Sequence, residues 1–498
     1  MTKTPVRTPS LFQALLPLIF LAASLATGVY LFSDSASSGA NQVSLMLAGA
    51  VAAIIGIRNG LSWDDIQEGM VDGISLAIGP IFILLAVGAL IGSWILSGTV
   101  PTMIVYGLKL LHPSYFYPAA CLICAIVGLV IGSSWTVAGT LGVALIGVAQ
   151  GLDMSPAVTA GAVISGGYFG DKISPLSDTT NIAPAAAGSA LFPHIRHMLW
   201  TTVPSIVIAL LLFTLMGLGE ARDVAEVNAF GNLPQVLGEQ FALGPHLLIP
   251  MVVVFVLAIG GFPAYPAILI GALLGAVFAV IFQPAAVLQL AGNEDLSRPM
   301  ALLAGAWTSL FNGYEGQSGV AAVDDLLSRG GMSSMLNTIW LIICAMGFGA
   351  VMERAGLLER MIRSVLKAAK SAGSLIAATL GTAIGANIVA ADQYMAIVLT
   401  GRLFAPEYER RGLAPVNLSR ALEDGGTITS PLVPWNTCGA YMAATLGVAT
   451  MDYLPYAFFN LIGPLVAVIS AYAGFKILML PRGAGGDSPP APSPSLSR

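Results

Sequence analysis

The chain is 498 residues long, 56% hydrophobic and only 9% charged, with a mean hydropathy of +0.83. Soluble domains carry roughly 25% charged residues, so this composition excludes one and points to a polytopic membrane protein. The net charge of -5 is small for the length and gives no signal for nucleic acid, so membrane lipids are expected as surroundings and nucleic acid is not a partner.

Lys3 and Arg7 precede an apolar run over 11–32 that is too long for a signal-peptide core and has no clear cleavage site after it. It reads as a retained first helix, with residues 1–42 forming an N-terminal helix and loop and the N-terminus cytoplasmic. Further runs over 43–57, 74–96, 197–218, 247–261, 264–282, 338–352 and 456–480 follow. Several reach the roughly 20 residues a helix needs to cross a bilayer. Continuous runs argue for helices and against the short alternating segments of a β-barrel. The polar stretch 219–243, with Glu220, Arg222, Asp223, Glu226, Asn228, Asn232 and Glu239, reads as an extramembrane linker. It separates a first membrane repeat, 43–218, from a second, 244–480, and the Pro- and Ser-rich tail 481–498 is expected to be disordered.

The two halves share a register. Asp64-Asp65 ahead of one long apolar run is matched by Asp324-Asp325 ahead of another, about 260 positions on, each pair reading as a helix cap. Downstream, Ser97-Gly98 matches Ala355-Gly356, Ile131-Gly132-Ser133 matches Ile384-Gly385-Ala386, and Ser174-Pro175-Leu176 matches Ser430-Pro431-Leu432. This is a duplicated unit. The segment after Ser97 holds only Lys109, whereas its counterpart holds Arg354, Arg360, Arg363, Lys367 and Lys370. Basic residues collect on cytoplasmic loops, so the matched segments are expected on opposite sides, which makes the repeats inverted. Each half then has two apolar arms around a polar tip, 132–136 in the first and Gly385-Ala386-Asn387 in the second. Basic flanks on both sides of the second pair of arms fit a re-entrant hairpin or two spanning helices, and the hydroxyls and amide at the tips favour the hairpin.

Residues 170–181, GDKISPLSDTTN, place Asp171, Lys172, Asp178 and a cluster of hydroxyl and amide groups where a helix should be crossing hydrocarbon. Charge there is rare and usually functional. Pro175 removes a backbone donor, so the helix should open at Ser174-Pro175 and leave free carbonyls and half-helix ends able to hold ions. The second copy, 424–437, carries Pro431 and Pro434 and a different acid load: Glu423 and Asp424 lie upstream of its break, and Pro434 and Trp435 fall opposite Asp178 and Thr179. Asp392 adds another acid in apolar company.

A bare sodium ion wants several hard oxygen ligands. Ser133, Ser134 and Thr136 at the first tip, Ser174, Asp178, Thr179, Thr180 and Asn181 at the first break, Asn387 at the second tip, and Thr427, Thr429, Ser430, Asn436 and Thr437 at the second break can supply them. With Asp171, Asp392 and Asp424 these form the candidate set for ion binding and proton coupling, Lys172 being the charge partner. Asp178, with Thr179 and Asn181 beside it, is the first choice for direct contact with Na+. A lone intramembrane Ser or Thr usually bonds back to its own helix, and clustering around a proline break favours the functional reading here. Cys121, Cys124, Cys344 and Cys438 lie in apolar surroundings and read as packing thiols, and His194 and His197, near Arg196 and Trp200, as an interfacial cluster.

Residues 167–185, GYFGDKISPLSDTTNIAPA, and 421–439, ALEDGGTITSPLVPWNTCG, resemble the two signatures of the NhaC family of sodium/proton antiporters, part of the ion transporter superfamily. The resemblance covers all but the termini and implies an all-α polytopic protein. Two inverted repeats, each with a hairpin and a broken helix, would meet at the ion site, commonly in a homodimer in a bacterial inner membrane. It implies secondary exchange of cytoplasmic Na+ for external H+, with these ions as cargo and no cofactor. Some relatives of this type exchange carboxylates or amino acids, so a sodium- and proton-coupled exchanger of a small organic anion is the alternative. The chain has no H-E-x-x-H, no G-x-G-D and no Gly-rich phosphate loop, so neither an intramembrane hydrolase nor an ATP-driven pump is expected.

Overall fold

The computed structural model describes residues 7–32, 39–224, 233–293 and 295–480. Among these, all regular structure is helical apart from an isolated bridge between Leu413 and Met479. Nine described helices are long and apolar enough to cross a membrane, or up to 11 if each of two bent pairs is one span. The protein is a multi-pass membrane protein, as the hydropathy required. The tail 481–498 lies outside the described residues, as do 225–232 within the stretch read as a linker.

Helices α1 (Leu11–Phe32) and α2 (Ala40–Arg58) pack as a pair. α3 (Trp63–Ser75) opens on a capping box in which the Ser62 hydroxyl accepts the Asp65 N–H at 3.1 Å and the Asp65 carboxylate accepts the Ser62 N–H at 3.0 Å. α4 (Ile78–Leu96) ends at Gly98, whose φ of 81° turns the chain into α5 (Thr99–Leu110). α6 (Pro113–Ile131) is followed by Gly132 and Ser133, then by a returning arm made of α7 (Ser134–Val137), a π-turn over Ala138–Gly142 and α8 (Val143–Gly151). Next come α9 (Pro156–Ile173), a four-residue break, α10 (Asp178–Ala187) and the 34-residue α11 (Leu191–Val224), which runs on past residue 218. α6 and α9 approach closely because small residues face each other: a Cβ at Gly166 would collide with the carbonyl of Cys121, and one at Gly170 with that of Ala125.

α12 (Leu233–Gln240) and α13 (Ile249–Ile259) are bent by 88°. α14 (Ala264–Phe282) lies along α4, with its Gly271 and Gly275 against Trp94, and α15 (Pro284–Ala291), α16 (Arg298–Phe311) and α17 (Ala321–Leu327) lead to the second half. There α18 (Leu336–Arg354), α19 (Leu357–Ala368), α20 (Ala372–Val389), α21 (Gln393–Arg410) and α22 (Pro415–Leu422) follow one another. A π-turn over Glu423–Thr427 extends α22 to the second break, beyond which lie α23 (Thr437–Leu446), α24 (Thr450–Tyr453) and α25 (Phe458–Tyr472). The order from α18 onward repeats that from α4, with left-handed glycines at the same joints: Gly98 and Gly356, Gly188 and Gly447.

Two local expectations are corrected. α20 continues through Gly385-Ala386-Asn387, since glycine without proline does not stop a buried helix, and the turn falls at Ala390, Ala391 and Asp392. The second break is also longer than the first: Asn436 caps α23 as Ser177 caps α10, so Thr437, rather than Pro434, stands opposite Asp178. The extra proline at Pro434 delays the restart of the helix.

Candidate functional site

The first break is held open from within. After Ile173 the backbone leaves the helix at Ser174, and Ser177 restarts it by accepting the Thr180 N–H at 3.4 Å. Carbonyls freed by Pro175 are met by side chains: Thr180 Oγ1 donates to the carbonyls of Asp171 (3.2 Å) and Lys172 (2.9 Å). Asn181 Nδ2 donates to those of Pro175 (3.0 Å) and Ser177 (2.7 Å). The tip between α6 and α7 docks on this break. Asp171 Oδ2 accepts the Ser134 N–H at 3.0 Å and its hydroxyl at 2.6 Å, while Ser133 Oγ accepts the Thr136 N–H at 3.2 Å.

Beside the docked tip lies a cavity of about 520 Å³. Asp171, Ser177, Asp178, Thr179, Ser133 and Thr136 line it from the first half; Gln393, Tyr394 and Thr437 line it from the second. Asp178, at the N-terminus of α10, is exposed there and accepts one hydrogen bond, from Tyr394 Oη at 3.3 Å. The helix start favours the Asp178 carboxylate in its charged form, because N–H groups point outward there.

The second break forms its own polar knot. Asn387 Nδ2 donates to the Gly426 carbonyl (2.5 Å) and Thr429 Oγ1 (3.0 Å), and Asn436 Nδ2 returns a bond to Asn387 Oδ1 at 3.2 Å. Asp392 caps α21 through the Met395 N–H (3.0 Å) and accepts from Thr437 Oγ1 (3.2 Å), so Thr437 joins this knot to the cavity. Ser430 Oγ bonds to the Thr427 carbonyl (2.7 Å) and to Gln393 Oε1 (3.3 Å), a second link. The candidate residues from both halves therefore adjoin. Only Ser133, Thr136, Asp171, Asp178, Thr179 and Thr437 among them reach the cavity itself.

Lys172 is not the partner of the aspartates near it in sequence. Its side chain is buried and forms an ion pair with Asp424, whose oxygens also accept from Thr201 Oγ1 at 3.2 and 3.0 Å. The pair bridges the halves, away from the cavity lining. His194 and His197 are buried beside it, bonded to Ser419 Oγ (2.8 Å) and to the Lys476 carbonyl (2.9 Å). The four cysteines are all buried thiols.

Glu423 was left out of the candidate set, although it is fully buried beside Asp424. Tyr394, Gln393 and Thr201 were also missed. Nothing local marks them: Tyr394 and Gln393 matter because α21 starts at the cavity, and Thr201 because the middle of α11 passes the ion pair.

A model of the Na+/H+ antiporter family matches residues 7–180 and 166–475, two stretches that overlap on the first break. The chain belongs to this family. It is 40% identical to the Na+/H+ antiporter NhaC of Alkalihalophilus pseudofirmus over 87% of this chain and 90% of that one. It is 38% identical to a malate-2H+/Na+-lactate antiporter of Bacillus subtilis, over 94% and 96%. Against the arginine/ornithine antiporter ArcD of Halobacterium salinarum the identity is 36%, over 95% and 94%. Membership supports Na+/H+ antiport in general, with Na+ and H+ as the expected substrates. The names of the relatives also show that antiporters similar over most of this chain differ in cargo.

Proposed function

We propose that the protein exchanges cytoplasmic Na+ for external H+ by alternating access of a carboxylate site at the first break. The observation that carries this reading is the pair Asp171 and Asp178, on either side of Ser174-Pro175, facing one cavity with hydroxyls and no lysine or arginine among its described lining residues. Two acids without a fixed cation suit a small hard cation or protons. They do not suit an organic anion. Na+ would lie between Asp178, Asp171 and the hydroxyls of Ser133, Thr136, Thr179 and Thr437, with the helix start at Asp178 exposing the site. If these carboxylates hold either Na+ or H+, binding one releases the other, and access from each side in turn yields obligatory exchange.

Inverted repeats and re-entrant hairpins belong to the same proposal. Arg411 donates to the carbonyls of Ala369 (2.6 Å) and Ser371 (3.0 Å), and the Ala414 N–H donates to Leu478 (2.9 Å). These bonds gather the basic ends of α19 and α21 and the C-terminal segment on one rim. Gly107 and Gly151, in contrast, pack with Val148 and Leu108, which places Lys109 with the far ends of the first hairpin. The reading puts the basic rim and the N-terminus in the cytoplasm of a bacterium, in its inner membrane, and takes the homodimer from the family. Single cysteines at positions 109 and 367 are expected to label from opposite sides of the membrane; labelling from the same side would remove the inversion.

The exchange itself is tested with purified protein in liposomes holding a pH dye. An imposed Na+ gradient alone is expected to drive proton movement. A strict requirement for an added malate-, lactate- or amino-acid-type substrate would replace this reading with the organic-anion exchanger that one relative's name suggests.

A further inference from the structure

We propose that Glu423 is a proton-binding site of the exchange cycle, separate from the cavity carboxylates Asp171 and Asp178. The proposal rests on the exchange reading and adds to it a second place for a proton.

Glu423 opens the π-turn that ends α22, a turn closed by the Ile428 N–H on the Glu423 carbonyl at 3.3 Å. Single π-turns inside α-helices concentrate at functional sites. Its side chain is wholly buried, and neither carboxyl oxygen has a hydrogen-bond partner among the described residues. Thr427, one turn further, turns its hydroxyl toward that carboxyl but falls short of ordinary hydrogen-bond geometry. An ionised carboxylate in that condition would lose its hydration with no hydrogen bond in return. The buried, unbonded carboxyl is therefore favoured as the neutral acid, holding a proton.

A buried acid that only filled space would stay neutral throughout. The neighbourhood of Glu423 makes ionisation possible. From α9, Lys172 and Asp171 lie within electrostatic reach, as does Asp424 on the same turn. Arg420 stands one turn back on α22, buried, with both terminal nitrogens unpartnered. From α11, His194 and His197 face Lys172 and Arg420 respectively. α10 and α21 bring Asp178, Asp392 and Tyr394 at their starts, and α21 also brings Tyr408 towards Arg420. α20, packed on the turn where Gly425 meets Leu380 and Ala383, has no ionisable side chain, and α25 has only the exposed Tyr472 at its end.

Lys172 holds Asp424 and Asp171 holds the tip, which leaves the buried Arg420 guanidinium with no hydrogen-bond partner at its terminal nitrogens. A carboxylate at Glu423, one turn away, would add negative charge on that side of the cluster. When its O–H bond breaks, the proton leaves to water and the new carboxylate is balanced by Lys172, shared with Asp424. Positive charge arriving at Asp171, the residue before Lys172, favours that step. Na+ entry at the cavity and proton release from Glu423 are then linked without sharing an atom.

Purified protein in detergent, weakly buffered with a pH indicator, is titrated with NaCl across a pH series, counting protons released and Na+ bound. Glu423→Gln is expected to bind Na+ at alkaline pH within about threefold of the unmodified affinity and to release about one proton fewer per Na+. Unchanged release by Glu423→Gln would overturn the proposal while leaving exchange intact. Absence of Na+-linked release in the unmodified protein would overturn the exchange reading, and this one with it. If Glu423→Gln does not assemble, Glu423→Asp decides. It is expected to keep the proton count and move its pH midpoint, and an unmoved midpoint counts against Glu423.

Discussion

Asp178→Asn is expected to cut sodium-driven proton movement by about 30- to 150-fold, in a protein that still folds and inserts. A charge-assisted contact is worth roughly 2–3 kcal/mol, and about 1.4 kcal/mol is a factor of ten, so losing one of two cavity carboxylates suffices for that effect. The fold tolerates the change because Asp178 accepts a single side-chain hydrogen bond among the described residues, from Tyr394, which an asparagine oxygen can still accept. The restart of α10 depends on Ser177, which is untouched. Asp171→Asn would be less informative, since Asp171 also anchors the tip through both donors of Ser134. In the unmodified protein apparent Na+ affinity should weaken as pH falls, because protons compete for the same oxygens. Full exchange by Asp178→Asn, or Na+ affinity independent of pH, would move the coupling acid elsewhere, Asp392 being the next cavity-linked candidate through Thr437.

How far these groups could be read in advance depended on whether their role is local. Pro175 and Pro431 announce breaks because proline removes a donor wherever it sits, and both helices do open there. Ser133, Thr136, Asp171, Asp178 and Thr179 stand out as polar residues in apolar surroundings, and the cavity collects all five. The second turn was misplaced because Gly385 looks like a stop in isolation. In place, α20 packs against the neighbouring helices and stays helical to Val389. Lys172 was named as a charge partner without its acid, for a related reason. Its neighbour Asp171 is adjacent in sequence, but successive helical residues point about 100° apart, so one faces the tip and the other the far half of the chain. The true partner, Asp424, lies 252 residues away. No spacing rule reaches that far, and none marked Glu423 as more than an acid upstream of the break.

That ion pair sets the other large expectation, which concerns stability. Lys172→Met leaves Asp424 ionised and buried with only Thr201 and the more distant Arg420 to answer it, a change that costs about 3–5 kcal/mol when a buried pair is broken from one side. The variant should therefore accumulate poorly as folded protein. Replacing both partners, Lys172→Met with Asp424→Leu, removes the stranded charge and should recover most of the folded yield. The two single changes should also differ. Asp424→Asn strands Lys172, but Glu423 stands on the same turn with a proton to give up, and its carboxylate can take over the ammonium. Adding Glu423→Gln removes that stand-in, so Asp424→Asn with Glu423→Gln should accumulate less folded protein than Asp424→Asn alone. Folded yield and unfolding temperature in detergent, measured across pH for the single, double and Glu423-containing variants, check this directly. Equal losses for Lys172→Met and Asp424→Asn at every pH would mean that Glu423 cannot reach Lys172, and a Lys172→Met protein as stable as the unmodified one would mean the pair contributes nothing to the fold.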